Sequence, residues 1–202
     1  MKLYYSSGAC SMAPHIVLRE AGYKFDLEKV DIPNKKTAGG EDFWTVNPKG
    51  YVPALKLDDG QVLTEVGVIC QYLADQKPES GLAPKFGTME RYHLMEMLNF
   101  CASEIHKQIG ALFNPKMTAE MKEVQLGVIE RRFNALEKFL EGKQYSMGDK
   151  FSVADAYLYT VLNWTGMHKI DLGKWPNIKA FVARVGARPA VQDTLKAEGL
   201  HK

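Results

Sequence analysis

Cys10 stands alone in the run Ser6-Ser7-Gly8-Ala9-Cys10-Ser11, between a short aromatic stretch and the first apolar helical repeat. A thiol at a helix start feels the positive end of the backbone dipole. The N–H groups of Ser11 and Met12 are placed to point at it. Both effects predict a thiolate, with a pKa below the free value of about 8.5. The run continues Cys10-Ser11-Met12-Ala13, so the second cysteine of a dithiol motif is absent. A lone thiol cannot close its own disulfide, and any sulfur cycle then needs an external thiol. Cys70 and Cys101 sit on helical apolar stripes and read as core. Three cysteines with no close pair argue against a disulfide framework. With no C-x-x-C or histidine cluster, no metal site is expected.

The elements around Cys10 follow from pattern. Lys2-Leu3-Tyr4-Tyr5-Ser6 reads as a strand. Met12, Ile16, Val17 and Ala21 give a helix stopped by Gly22, and Phe25, Leu27 and Val30 give a second strand. Strand–helix–strand in about 30 residues favours a right-handed parallel unit. Residues 34–50 look polar and irregular. Val52 to Leu57 and Gln61 to Leu63 are strands joined by the Asp58-Asp59-Gly60 turn, and a helix covers about 65–75. Residues 76–87 hold two prolines and two glycines without periodicity, the clearest linker. Beyond it the pattern is helical, over 88–113, 120–141, 152–165 and 177–186. Ser152-x-x-Asp155 forms a capping box variant, and Pro189 ends the penultimate helix. The expected boundaries are 1–79 for the α/β domain, 80–86 for the linker and 87–202 for the helical domain.

Composition excludes other classes. Apolar residues make up 46% and charged residues 25% of 202, ordinary for a globular chain. Lys plus Arg number 26 against 24 acids, with no basic run beyond two residues, so nucleic acid is not an expected partner. No apolar run approaches the roughly 18 residues of a membrane helix, and nothing at the start resembles a signal peptide. A cytoplasmic protein is expected.

Several motifs occur in order: Tyr4 to Ser11, Pro14-His15, Arg19-Glu20-Ala21-Gly22, Asn47-Pro48-Lys49-Gly50-Tyr51-Val52-Pro53, Leu63-Thr64-Glu65, Tyr72-Leu73-Ala74-Asp75 and Ser152-Val153-Ala154-Asp155. With these spacings the chain resembles the glutathione transferase superfamily over essentially its full length, and within it the bacterial beta class. The resemblance implies an N-terminal thioredoxin-like βαβαββα domain, followed by an all-helical C-terminal domain carrying the electrophile site. It implies a detoxifying transferase with glutathione as co-substrate, a small hydrophobic electrophile met in a cleft between the halves, no metal, and a homodimer.

The residues can be matched to glutathione's chemistry. Glu65 suits its ammonium, and backbone N–H groups from Val66 suit the adjacent carboxylate. The family holds a proline such as Pro53 cis, which offers the Val52 backbone to the cysteinyl unit. Lys35 suits the glycine carboxylate. The family often has Ser or Gly after the glutamate. Val66 stands there instead and offers no hydroxyl. Asn99, Ser103 and His106 are spaced four and three, which on an α-helix sets them on one face beside the stripe of Leu98, Cys101 and Ile105. The beta-class pattern puts a histidine like His106 near the ligand sulfur. It also uses Asn99, Ser103 and Glu104 at the glutathione site, some from across the dimer. Tyr157, Trp164, Met167 and Phe113 could wall the electrophile site or be helical core, and His15 reads as structural. Cys10 suggests glutathione-dependent thiol–disulfide exchange or peroxide reduction beside conjugation. The rival expectations are a non-catalytic ligand-binding protein and a monothiol glutaredoxin-like reductase.

Overall fold

The computed structural model describes residues 1–200. Strand β1 (Lys2–Tyr5) precedes helix α1 (Met12–Glu20) and strand β2 (Asp26–Asp31), and β1 and β2 pair in parallel. β3 (Lys36–Thr37) and α2 (Phe43–Val46) follow, inside the stretch expected to be irregular. Neither is long enough to show a period. The available signal was Asp42, whose carboxylate accepts the Trp44 N–H at 3.1 Å and caps α2. β4 (Ala54–Lys56) and β5 (Val62–Thr64) form the hairpin, and α3 (Val66–Gln76) packs against α1. The sheet order is β3-β2-β1-β4-β5. Its register aligns Leu27, Leu3, Leu55 and Leu63 in one row across four strands. Side chains alternate across a sheet, so the next residue of β1, Tyr4, serves the opposite face. There it is buried with Val30, Phe43, Val52 and Ala54, its ring 5.7 Å from that of Phe43. This second cluster ties the Val52 backbone to the central strand.

The helices of the second half are α4 (Met89–Phe100), a π-helical segment (Cys101–His106), α5 (Lys107–Ala111), α6 (Ala119–Leu140), α7 (Val153–Leu162), α8 (Trp164–Met167) and α9 (Pro176–Gly186). Every residue of α7 is buried, as a helix at the centre of its unit must be. Its start is held by Asp155, which accepts the Ser152 N–H at 2.8 Å, the Ser152 hydroxyl at 2.7 Å and the Ser146 N–H at 2.6 Å. Burial raises the Asp155 pKa above its ordinary value, against the pull of the donors on Ser146 and Ser152. Asp155→Ala leaves those buried donors without their acceptor. It is expected to cost about 3 kcal/mol, read as a lower urea midpoint with an unchanged slope.

The final helix, α10 (Pro189–Ala197), departs from the expected boundaries. The chain divides into two compact units, residues 1–83 with 188 onward, and residues 84–187. Helix α10 therefore belongs with the sheet and packs on α1, rather than with the helices of 87–202. The joint is polar. Arg188 Nε and Nη2 donate to the two carboxylate oxygens of Glu20 at 2.6 and 2.9 Å. Beneath it lies a buried chain. Arg19 Nε donates to His15 Nε2 at 3.1 Å, which puts the ring proton on Nδ1, and Nδ1–H donates to Glu198 Oε1 at 2.8 Å. Glu198 Oε2 then accepts the Gly8 N–H at 2.8 Å. Gly8, at φ +72°, lies two residues before Cys10, so a carboxylate just past α10 holds the cysteine turn.

Candidate functional site

Cys10 lies one residue before the N-cap of α1, in a tight turn where Ala9 N–H donates to Ser6 O. The expectation of a low thiol pKa is overturned. The Met12 N–H is spent on Ala9 O, leaving the N–H groups of Cys10 and Ser11 to favour the thiolate. Burial outweighs them, Glu65 adds its negative charge, and the pKa is pushed up to about 12. The group is therefore a thiol, and its S–H donates to Val52 O at 3.3 Å. The Val52–Pro53 peptide bond is cis.

The turn before α3 brings the second group. Glu65 adopts φ +69° and ψ 123°, unusual for a residue with a side chain, and is the N-cap of α3. Val66 is buried and begins the helix, whose first N–H groups lack intrahelical partners. The Glu65 carboxylate accepts from Lys49 Nζ at 2.6 Å and from Tyr51 OH at 3.4 Å. Lys49 and Tyr51 are not among the residues expected near Glu65, although both stand in the Asn47 to Pro53 run. The missed signal was a lone lysine and tyrosine beside a turn that carries an exposed acid. About half of each partner in the Lys49–Glu65 pair is exposed, so the pair contributes little stability, and a ligand ammonium can compete for the carboxylate. Lys35 Nζ donates to Gly50 O at 2.6 Å and lies 5.6 Å from the centre of the Trp44 ring. Lys35 thus braces the loop ahead of Val52. Gly50 needs its φ of +69° and its missing side chain there, because a Cβ would fall 2.5 Å from the Trp44 ring.

In the helical unit the four-and-three spacing does not hold as expected. The spacing predicts an α-helix across 99–106, but Cys101–His106 is π-helical, so the chain turns less per residue. Ser103 Oγ donates back to Asn99 O at 2.9 Å, and both residues are exposed. Glu104 is paired with Arg132 of α6. His106 is half-buried and turned to α7, where its Nδ1 lies 2.7 Å from Tyr157 OH. Its ring meets those of Tyr157 and Trp164 edge-on at 5.7 and 5.0 Å. Phe113 continues the ladder, 5.4 Å from Trp164 and 4.4 Å from His168. Tyr157 and Trp164 are buried, whereas Phe113 and Met167 are exposed. Among the described residues no three histidines, cysteines or acids gather as a metal site would require, and no helix is long and apolar enough to cross a membrane.

A thioredoxin-like unit with a cis-proline turn, a cysteine at the start of its first helix and an acid at the start of its third defines a class of thiol-binding proteins. The comparisons place the chain within that class. The family described as glutathione S-transferase, N-terminal domain, matches residues 8–76, and glutathione S-transferase, C-terminal domain, matches 100–189. The glutathione S-transferase GstA of Escherichia coli O157:H7 is 44% identical over 99% of this chain and all of its own. A glutathione transferase crystal structure from Methylococcus capsulatus is 61% identical, with a TM-score of 0.97 over 98% of both chains. A sphingomonad glutathione S-transferase complexed with glutathione is 48% identical, with a TM-score of 0.95 over 99% of this chain and all of that one. The chain belongs to the glutathione S-transferase family, in its bacterial beta class.

Proposed function

We propose that the protein is a glutathione transferase that joins the sulfur of glutathione to small hydrophobic electrophiles. The carrying observation is one corner of the sheet unit. There the Cys10 turn, the cis Val52–Pro53 bond and the Glu65 start of α3 adjoin closely enough for the thiol to meet Val52 O and for the Glu65 charge to act on it. In this reading Glu65 takes the ligand ammonium in exchange for Lys49, and the first N–H groups of α3, from Val66, take its carboxylate. Val52 and Pro53 present backbone to the cysteinyl unit, and Lys35 faces the glycine carboxylate. From the family resemblance, we carry over Asn99, Ser103 and Glu104 as further glutathione-site residues, some of them from across the dimer, and His106 as a hydrogen-bond donor to the sulfur. The bound thiolate attacks the electrophile, a C–S bond forms and the leaving group takes the electron pair of the broken bond. A thiol held at a pKa of about 12 is not a competing nucleophile, and its S–H can turn from Val52 O to the bound sulfur, which favours conjugation over exchange through Cys10. The protein works as a homodimer in this reading, as the family resemblance implies, and in the cytoplasm.

Calorimetric titration of the reduced protein with glutathione tests it. Saturation at one site per chain is expected. No heat and no competition up to millimolar glutathione would overturn the proposal and favour a binding protein without this co-substrate. Sedimentation at micromolar concentration reads the dimer, and a monomer mass would contradict that part.

A further inference from the structure

The ring of His106 is held by two residues of its own unit, Tyr157 and Trp164. Tyr157 OH lies 2.7 Å from Nδ1, the Tyr157 ring stands edge-on at 85°, and Trp164 closes at 68°. Tyr157 lies in α7, the most deeply buried helix of the unit, whose start is fixed by Asp155. Tyr157 is itself 3% exposed, so its ring is enclosed by packing on all sides. The π-helical segment ends at His106, and an α-helical path from Asn99 would set that side chain at a different angle around the axis.

We infer that Tyr157 is a positioning residue, whose O–H donates to Nδ1 of His106 and so fixes the ring proton on Nε2. The inference rests on the proposed role of His106 as donor to the glutathione sulfur. A phenol is a stronger donor than a neutral imidazole N–H, and an imine nitrogen is a better acceptor than a phenol oxygen. The pair is therefore best satisfied as O–H···Nδ1. A donor to a thiolate needs its proton on the nitrogen that meets the ligand, in a ring that does not rotate. The hydrogen bond supplies the first requirement and the two ring edges the second. Tyr157 is thereby removed from the wall of the electrophile site, where Phe113 and Met167 remain exposed.

The test uses the full-length protein labelled with ¹⁵N-histidine, beside steady-state conjugation of an aryl halide. In the unsubstituted protein, Nδ1 of His106 is expected as a hydrogen-bonded imine nitrogen and Nε2 as a protonated one. Tyr157→Phe should move Nδ1 to the position of an unbonded imine. It should lower kcat about tenfold, the loss of one hydrogen bond's worth of alignment, with the glutathione KM unchanged. A protonated Nδ1 in the unsubstituted protein would overturn the inference without any variant. His106→Gln separates the two levels. If it leaves kcat unchanged, the role of His106 fails and the inference falls with it. If it lowers kcat while Tyr157→Phe does not, only the positioning role is lost.

Discussion

Iodoacetamide is expected to alkylate Cys10 of the ligand-free protein about a thousandfold more slowly at neutral pH than an unshifted thiol. The pKa moves from 9.0 to about 12, and three units cut the thiolate fraction by about 10³. The sign follows from the balance at the sulfur. Burial disfavours the anion, the Glu65 carboxylate opposes it, and the two N–H groups that favour it are outweighed. The rate should therefore keep climbing beyond about pH 10, where a thiol of pKa 9.0 levels off. Mass spectrometry of the Cys10 peptide isolates this thiol from Cys70 and Cys101, both buried. Rapid alkylation with a plateau below pH 8 would return Cys10 to the role of nucleophile. Cys10→Ser is expected to retain most conjugation, since a hydroxyl still donates.

Replacing Glu65 by glycine should separate stability from binding. The φ of +69° and ψ of 123° cost on the order of 1–3 kcal/mol for a residue with a side chain, and glycine relieves most of this. The Lys49 pair that is lost is exposed and contributes about 0–1 kcal/mol. The urea midpoint should then stay level or rise. Glutathione affinity should fall about a hundredfold, as a charge-assisted pair of about 3 kcal/mol disappears. Glu65→Gln keeps the strained backbone and loses only the charge, so it should weaken binding without raising the midpoint. A glycine variant that binds as before would remove Glu65 from the site.

The longer elements were legible because each carries its own period or punctuation. The alternating start of β1, the Asp58-Asp59-Gly60 turn and the Ser152–Asp155 box are local signals, and the structure has an element at each. What escaped depends on distance or on crowding. Nothing in Cys101-Ala102-Ser103-Glu104-Ile105-His106 departs from an α-helical pattern, so the π-helical segment had no signature. The placement of α10 on α1 depends on partners such as Glu20 and Arg188, 168 residues apart. The thiol of Cys10 was misjudged because the dipole at a helix start can be read from sequence order, whereas the desolvation that outweighs it arises only when Val52 and Glu65 fold over the turn. The partner of Glu65 was missed for the same reason, since Lys49 reaches it across sixteen positions.

The Glu198 carboxylate that holds Gly8 also sets a schedule. On the ribosome β1 and the cysteine turn emerge before unit 84–187, yet the residue that anchors the turn follows only after the whole of that unit has been made. At roughly 5–20 residues per second, the nascent sheet waits on the order of 10 s for its last helix. A chain that stalls within that interval can build its sheet and much of its helical unit but has no Glu198 to fasten the turn. The thiol corner is thus fastened only after unit 84–187 has been made, and a chain stalled before Glu198 carries it unanchored.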